Sequence, residues 1–132
     1  MARKLYNPPG LHPAPGYSHI AESRGGRVLH FAGQAALDPQ FRIVGDDIYA
    51  QTIAAMTNVK TAMDEVKIGW DDIVRRTIYT LRPTEYETIS RAIDEVTGGA
   101  DNPPQTIIGV TGLAVPGLLI EIECTAVADG GA

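Results

Sequence analysis

The chain has one cysteine, Cys124. A lone thiol cannot close an intramolecular disulfide or build a cysteine metal cluster, which excludes a disulfide scaffold and a zinc ribbon. Aromatic residues make up only 6%, and positive charge is the minority, with 11 Lys and Arg against 16 Asp and Glu. Nucleic acids and anionic membranes attract a positive field, and single strands also want stacking aromatics, so neither is an expected partner at a net charge of −5. Long apolar runs are missing too. The longest, Leu113 to Ile120, is broken by Pro116-Gly117 and falls far short of the ~20 residues of a membrane span. Behind Arg3 and Lys4 no apolar segment follows, so no secretory signal is read and the expected compartment is the cytoplasm. Walker loops, dinucleotide fingerprints and nucleophile elbows are absent.

What is present describes a single domain over 1–132. Apolar residues reach 44%, enough for a core, and 14 glycines with nine prolines suit a turn-rich mixed fold. Pro8, Pro9, Pro13 and Pro15 mark residues 1–16 as a proline-rich lead-in, and 129–132 read as a flexible tail. Tyr17–Ser23 and Arg27–Gln34 flank Gly25-Gly26, which predicts a hairpin. Met56, Val59, Met63 and Val66 share a helical face, predicting a helix from about Asp47 to Lys67 with Asp46 or Asp47 as its cap. A strand follows over Val74–Leu81. Thr84 and Glu87 fit a capping box for a second helix with Ile89 and Ile93 inward and Gly98-Gly99 at its end. Thr106–Gly112 and Leu118–Val127 read as strands separated by a type II turn at Pro116-Gly117. In the last strand Ile120, Ile122, Cys124 and Ala126 alternate with Glu121, Glu123, Thr125 and Val127, giving one core face and one acidic face. The fold class is therefore α+β, with two helices on one face of a mixed sheet and the other face left for solvent or a partner.

Chemistry-bearing residues are sparse. His12, His19 and His30 lie at separations of seven and eleven, with no metal-ligand spacing, so no metal site is expected. Cys124 falls on the core face, where an inert packed thiol is expected. Arg75 and Arg76 read as one solvated and one interfacial side chain, and Trp70 and Tyr79 as packing residues.

Four short motifs carry more. Pro15-Gly16-Tyr17-Ser18, Ala32-Gly33-Gln34, Asn58 on the first helix and Ile120-Glu121-Ile122-Glu123 stand in an order and spacing that resembles the RidA/YjgF family, also labelled endoribonuclease L-PSP. The resemblance covers about Pro13 to Ala128. It implies a chorismate-mutase-like fold assembled as a homotrimer, with ligand clefts between adjacent subunits and no metal or organic cofactor. Archetypal members hydrolyse enamines and imines to keto acids and ammonia.

Carried over by position, the resemblance makes Glu121 the residue that positions or activates water. Tyr17 would line the cleft and Gly33 would face the ligand through its backbone. The carboxylate-binding arginine falls on Gln105, the cleft cysteine on Ile107 and the second-helix asparagine on Ser90, so three of six positions depart from the pattern. A guanidinium grips a carboxylate through two charge-assisted hydrogen bonds, whereas Gln105 offers donors without charge. An α-imino acid anion is therefore expected to bind poorly, and a neutral or cationic imine or a small carbonyl compound to bind better. The expected function is binding of such a compound in intersubunit clefts, with hydrolytic deamination as the activity. The alternatives are a non-catalytic ligand-binding or regulatory trimer and an endoribonuclease-type translation inhibitor.

Overall fold

The computed structural model describes residues 3–129. Apart from Asp129, the tail expected at 129–132 lies outside the described residues. Strands β1 (Lys4–Tyr6) and β2 (Ile20–Glu22) pair antiparallel as a small separate sheet. The main sheet has the order β3-β6-β4-β5, built from β3 (Arg27–Ala35), β4 (Ile73–Thr80), β5 (Gln105–Gly109) and β6 (Ile120–Ala128). Its β3/β6 and β6/β4 ladders are antiparallel and its β4/β5 ladder is parallel, so the sheet is mixed as predicted.

Helix α1 (Ile48–Glu65) starts where the Asp47 side chain accepts a hydrogen bond from the Ala50 N–H at 2.8 Å. Its buried face of Ala55, Met56, Val59 and Met63 packs against β3 and β6. Helix α2 (Tyr86–Thr97) lies beside α1, adds Ile89 and Ile93 to the same core, and ends at Gly98 in the left-handed region, φ 72°. Strand β6 runs through the middle. Ile120, Ile122, Cys124, Ala126 and Ala128 are buried on the helix side. Ile78 and Ile122, both 0% exposed, face each other across β4/β6. Truncating either to Ala would cost about 2–5 kcal/mol.

Three local expectations are corrected. The hairpin between Tyr17–Ser23 and Arg27–Gln34 does not form, because β2 pairs with β1 and β3 pairs with β6. Gly26 is needed elsewhere: a β-carbon there would sit 1.9 Å from the Ala128 carbonyl oxygen, so the glycine lets β3 begin against the end of β6. The Thr84 capping box is also absent. Pro83–Glu85 form a 3₁₀ turn, and α2 follows it without a side-chain cap. Arg76 is neither solvated nor interfacial within this chain but buried, at 3% exposure. A bulge between Ile73 and Arg75 shifts the alternation of β4, putting Ile73 and Arg76 on the same inward side. The turn at Pro116-Gly117 forms as predicted, with Gly117 at φ 99° and the Leu118 N–H donating to the Val115 carbonyl.

The face turned away from the helices carries Arg75, Thr77 and Tyr79 of β4 and Glu121, Glu123 and Thr125 of β6. Val28 of β3, 59% exposed, sits beside them opposite Val127.

Candidate functional site

The proline-rich lead-in reverses direction at Pro13–Tyr17, with Gly16 at φ 77° and the Tyr17 N–H donating to the Ala14 carbonyl. Ser18 then fastens this loop to the approach of β5. Its N–H donates to the Pro103 carbonyl and its hydroxyl to the Asn102 carbonyl at 2.7 Å. Between the loop, α2 and the β5 edge lies a cavity of about 540 Å³. Tyr17 from the loop, Ser90 from α2, and Gln105 and Ile107 from β5 all line it. Four of the six predicted site positions are thus brought together.

Behind Gln105 stands a residue that sequence reasoning placed elsewhere. Arg76 and Gln105 are register partners across the parallel β4/β5 ladder. The Arg76 Nε–H donates to Gln105 Oε1 at 2.5 Å. Its Nη2 donates to Asn102 Oδ1 at 3.0 Å and to the Gly16 carbonyl at 3.3 Å. Desolvation lowers this guanidinium to about 10, which leaves it cationic at neutral pH. The arginine expected at position 105 is absent, but a cation sits one layer behind it.

The same cavity holds two histidines that the spacing argument dismissed. His12 Nε2 is 2.7 Å from the Tyr17 hydroxyl, within hydrogen-bond distance. The His19 Nε2–H donates to the His12 carbonyl at 2.8 Å, and the two rings meet edge to face at 4.7 Å. Both histidines line the cavity with Tyr17. The signal in the sequence was the Pro13-Ala14-Pro15-Gly16 reversal, which folds residues seven apart onto one another.

Glu121 and Gly33 are not in this cavity. They border a second one of about 480 Å³, at the end of β3 and the start of β6. Strand alternation separates the two groups: Gln105 pairs with inward Arg76, while Glu121 pairs with outward Tyr79. Gln105 and Glu121 therefore lie on opposite faces of one sheet. The second cavity is braced from α1. Asn58 Nδ2 donates to the Ala35 and Leu37 carbonyls at 2.8 and 2.9 Å. Gln51 donates to the Gly45 and Gly117 carbonyls and accepts from the Leu119 N–H. Asn58 is thus a clamp on the chain around Glu121. On the outer face the Tyr79 hydroxyl donates to Glu123 Oε1 at 2.6 Å, which raises the Tyr79 pKa.

Cys124 is buried, and desolvation pushes its thiol up to about 11, so it is an inert core residue as predicted. Among the described residues no three His, Cys, Asp or Glu side chains are grouped to hold a metal, and no helix is long and apolar enough to cross a membrane.

The geometry has close counterparts. A protein of the conserved Rid family from Yersinia pestis, YyfB, itself of unknown function, superposes with a TM-score of 0.90 at 37% identity, covering 97% of this chain and 100% of that one. A member of the YjgF/YER057c/UK114 family from Mycobacterium tuberculosis gives 0.67 at 29% identity, over 96% and 100%. A RutC family protein of Pyrococcus abyssi is 28% identical over 102 residues, 76% of this chain and 79% of its own. The endoribonuclease L-PSP family profile matches residues 9–128. With a family match over residues 9–128 and a neighbour of the same fold at 37% identity, the chain belongs to the endoribonuclease L-PSP family, the Rid/YjgF proteins.

Proposed function

We propose that the chain works as a homotrimer whose clefts each join the Tyr17–Gln105 cavity of one subunit to the Glu121 shelf of the next, and that the cleft binds and hydrolyses a small imine or enamine. The observation that carries this reading is the placement of Gln105 and Glu121 on opposite faces of the same sheet. Two half-sites of one chain cannot close on a common small molecule, whereas half-sites of adjacent chains can. An open sheet face with exposed Val28 supports the association.

The chemistry asks little of the protein. Water adds to the carbon of C=N while Glu121 accepts its proton, and the C=N electron pair moves to nitrogen, which takes a proton from solvent or from Tyr17. In the collapse of the resulting carbinolamine Glu121 returns its proton to the nitrogen, and the hydroxyl proton passes to solvent or back to Tyr17. The O–H electron pair forms C=O as the C–N bond breaks and ammonia leaves. Positioning water and substrate together supplies much of the rate. No cofactor enters these steps.

The test is ammonia release from the uncharged 2-iminopropionamide, and from 2-iminopropionate as the slower substrate expected with Gln105 at the arginine position, by wild type and by Glu121→Gln. General base assistance is typically worth about 10²–10⁴-fold, so the variant should lose turnover by that range with its light-scattering mass unchanged. Equal rates would remove Glu121 from the mechanism. The second reading is a small-ligand-binding trimer without turnover, favoured by Gln105 standing where the family carries its arginine. Ligand binding by both proteins, with turnover by neither, would establish it.

A further inference from the structure

Arg76 is the hub of the Gln105 cavity. Its three hydrogen bonds reach the proline-rich loop at Gly16, the approach to β5 at Asn102, and Gln105 itself, which are three segments that enclose or support the cavity. It is buried, and among the described residues no carboxylate oxygen stands within ion-pair distance of it. The guanidinium's hydrogen-bond partners are all neutral oxygens, and the carboxylate that acts on it, Asp94, does so from beyond ion-pair distance.

That charge fixes the direction of Gln105. A guanidinium carries donors and no acceptor, so only the Oε1 end of the amide can face it. Turning the amide over would set N–H against N–H and orphan a buried donor. The Nε2–H₂ end is then what Gln105 offers to the cavity it lines. Tyr17 and Ser90 carry hydroxyls that can donate or accept. Of these three, Gln105 is the polar group of one fixed sense, a donor with a cation behind it.

We propose that Arg76 is a positioning residue that sets the specificity of this cavity: it holds Gln105 so that the ligand must present an acceptor oxygen, a carbonyl or a carboxylate, and a ligand presenting an ammonium or iminium there is rejected. The inference rests on the reading of the cavity as a ligand site. It narrows the sequence expectation, which admitted cationic imines, and it moves the cation of the site from position 105 to position 76.

The test uses side-chain amide NMR of the assembled protein with three probes of similar size: pyruvamide, pyruvate and isopropylammonium. The Gln105 amide signals are identified by their loss in Gln105→Glu. That substitution should keep or raise the melting temperature, because a carboxylate then meets Arg76. It should weaken both oxygen probes about tenfold or more, the scale of one lost hydrogen bond plus an unpaired acceptor. In wild type the Gln105 signals should move with pyruvamide or pyruvate and stay still with isopropylammonium; the tighter of the two oxygen probes tells a neutral carbonyl from a carboxylate. Arg76→Lys, which keeps charge but loses the fork, should move the Gln105 signals with no probe present. Unchanged signals in Arg76→Lys, oxygen-probe affinity unchanged in Gln105→Glu, or binding of isopropylammonium to wild type would each overturn the inference. Shifts at Tyr17 and Ser90 with Gln105 unmoved would overturn it while leaving the cavity a ligand site. No shift at any cavity residue would overturn both.

Discussion

Gly33 lies against Glu121 so closely that a β-carbon on Gly33 would fall 2.2 Å from Glu121 Oε2 and 2.9 Å from its Cγ and Cδ. The register of β3 on β6 slips by one residue between Phe31 and Gln34, and the resulting bulge brings the bare backbone of Gly33 beside the carboxylate. Gly33→Ala is therefore expected to displace the Glu121 side chain rather than the strand, since the obstructing atoms belong to a flexible chain end. Turnover should fall about 10²-fold, as for a reacting group misplaced by an ångström, with the melting temperature nearly unchanged. Crystal structures of the variant would show the carboxylate moved; an unmoved carboxylate with normal rates would refute the expectation.

His12 gives a second, independent handle. Its ring is exposed and its tie to Tyr17 is a single hydrogen bond, so His12→Phe should leave stability within about 0.5 kcal/mol of wild type. If the pair moves a proton during hydrolysis, kcat should drop about tenfold or more while KM changes little. Equal kcat values for the two proteins would assign His12 to loop shape alone.

Assembly is testable through the open sheet face. Light scattering should report a mass near three times 14.1 kDa. Val28→Asp adds a charge at an exposed apolar position on the same face as Glu121 and Glu123, and should shift the distribution toward monomer without altering the far-UV spectrum. A monomeric wild type at micromolar concentration would remove the shared cleft.

Alkaline pH should probe the core. The folded chain holds the Cys124 proton up to about 11, against 9.0 for the free thiol, with desolvation as the main cause. Between those values the unfolded chain has released a proton that the folded chain retains. Stability from this group is thus intact below pH 9 and declines as pH rises, by at most about 2–3 kcal/mol. Arg76, lowered to about 10, acts with the opposite sign at higher pH, so the window to examine is pH 9 to 10. Urea midpoints should fall across it in wild type and stay flatter in Cys124→Ala. At pH 8 thiol reagents should label the folded protein far more slowly than the unfolded one.

The parts of this fold written in periodicity could be read directly. The two-residue alternation of β6 and the three-four spacing of α1 are local patterns, and both elements formed within about two residues of expectation. What could not be read were consequences of pairing. Gly25-Gly26 looks like a hairpin turn until the carbonyl of Ala128 is placed beside it. Arg76 reads as either the solvated or the interfacial member of a pair with Arg75 until the β4 bulge rotates it inward, because one inserted residue changes the face of every residue that follows. The site divided in the same way. Tyr17, Ser90, Gln105 and Ile107, the positions taken from the family pattern, line one cavity within one chain. His12 and His19 join them through the Pro13-Ala14-Pro15-Gly16 turn, whose composition marks a reversal but not which side chains it brings together.

The opposite-face placement of Gln105 and Glu121 has a genetic consequence. If each cleft draws one residue from each of two neighbours, a subunit disabled at Gln105 still carries a sound Glu121, and a subunit disabled at Glu121 still carries a sound Gln105. Homotrimers of either variant would be inert. Co-expressed, the two would form mixed rings in which one cleft unites both sound halves, so activity would reappear from two dead alleles; a cleft contained within a single chain would never allow that complementation.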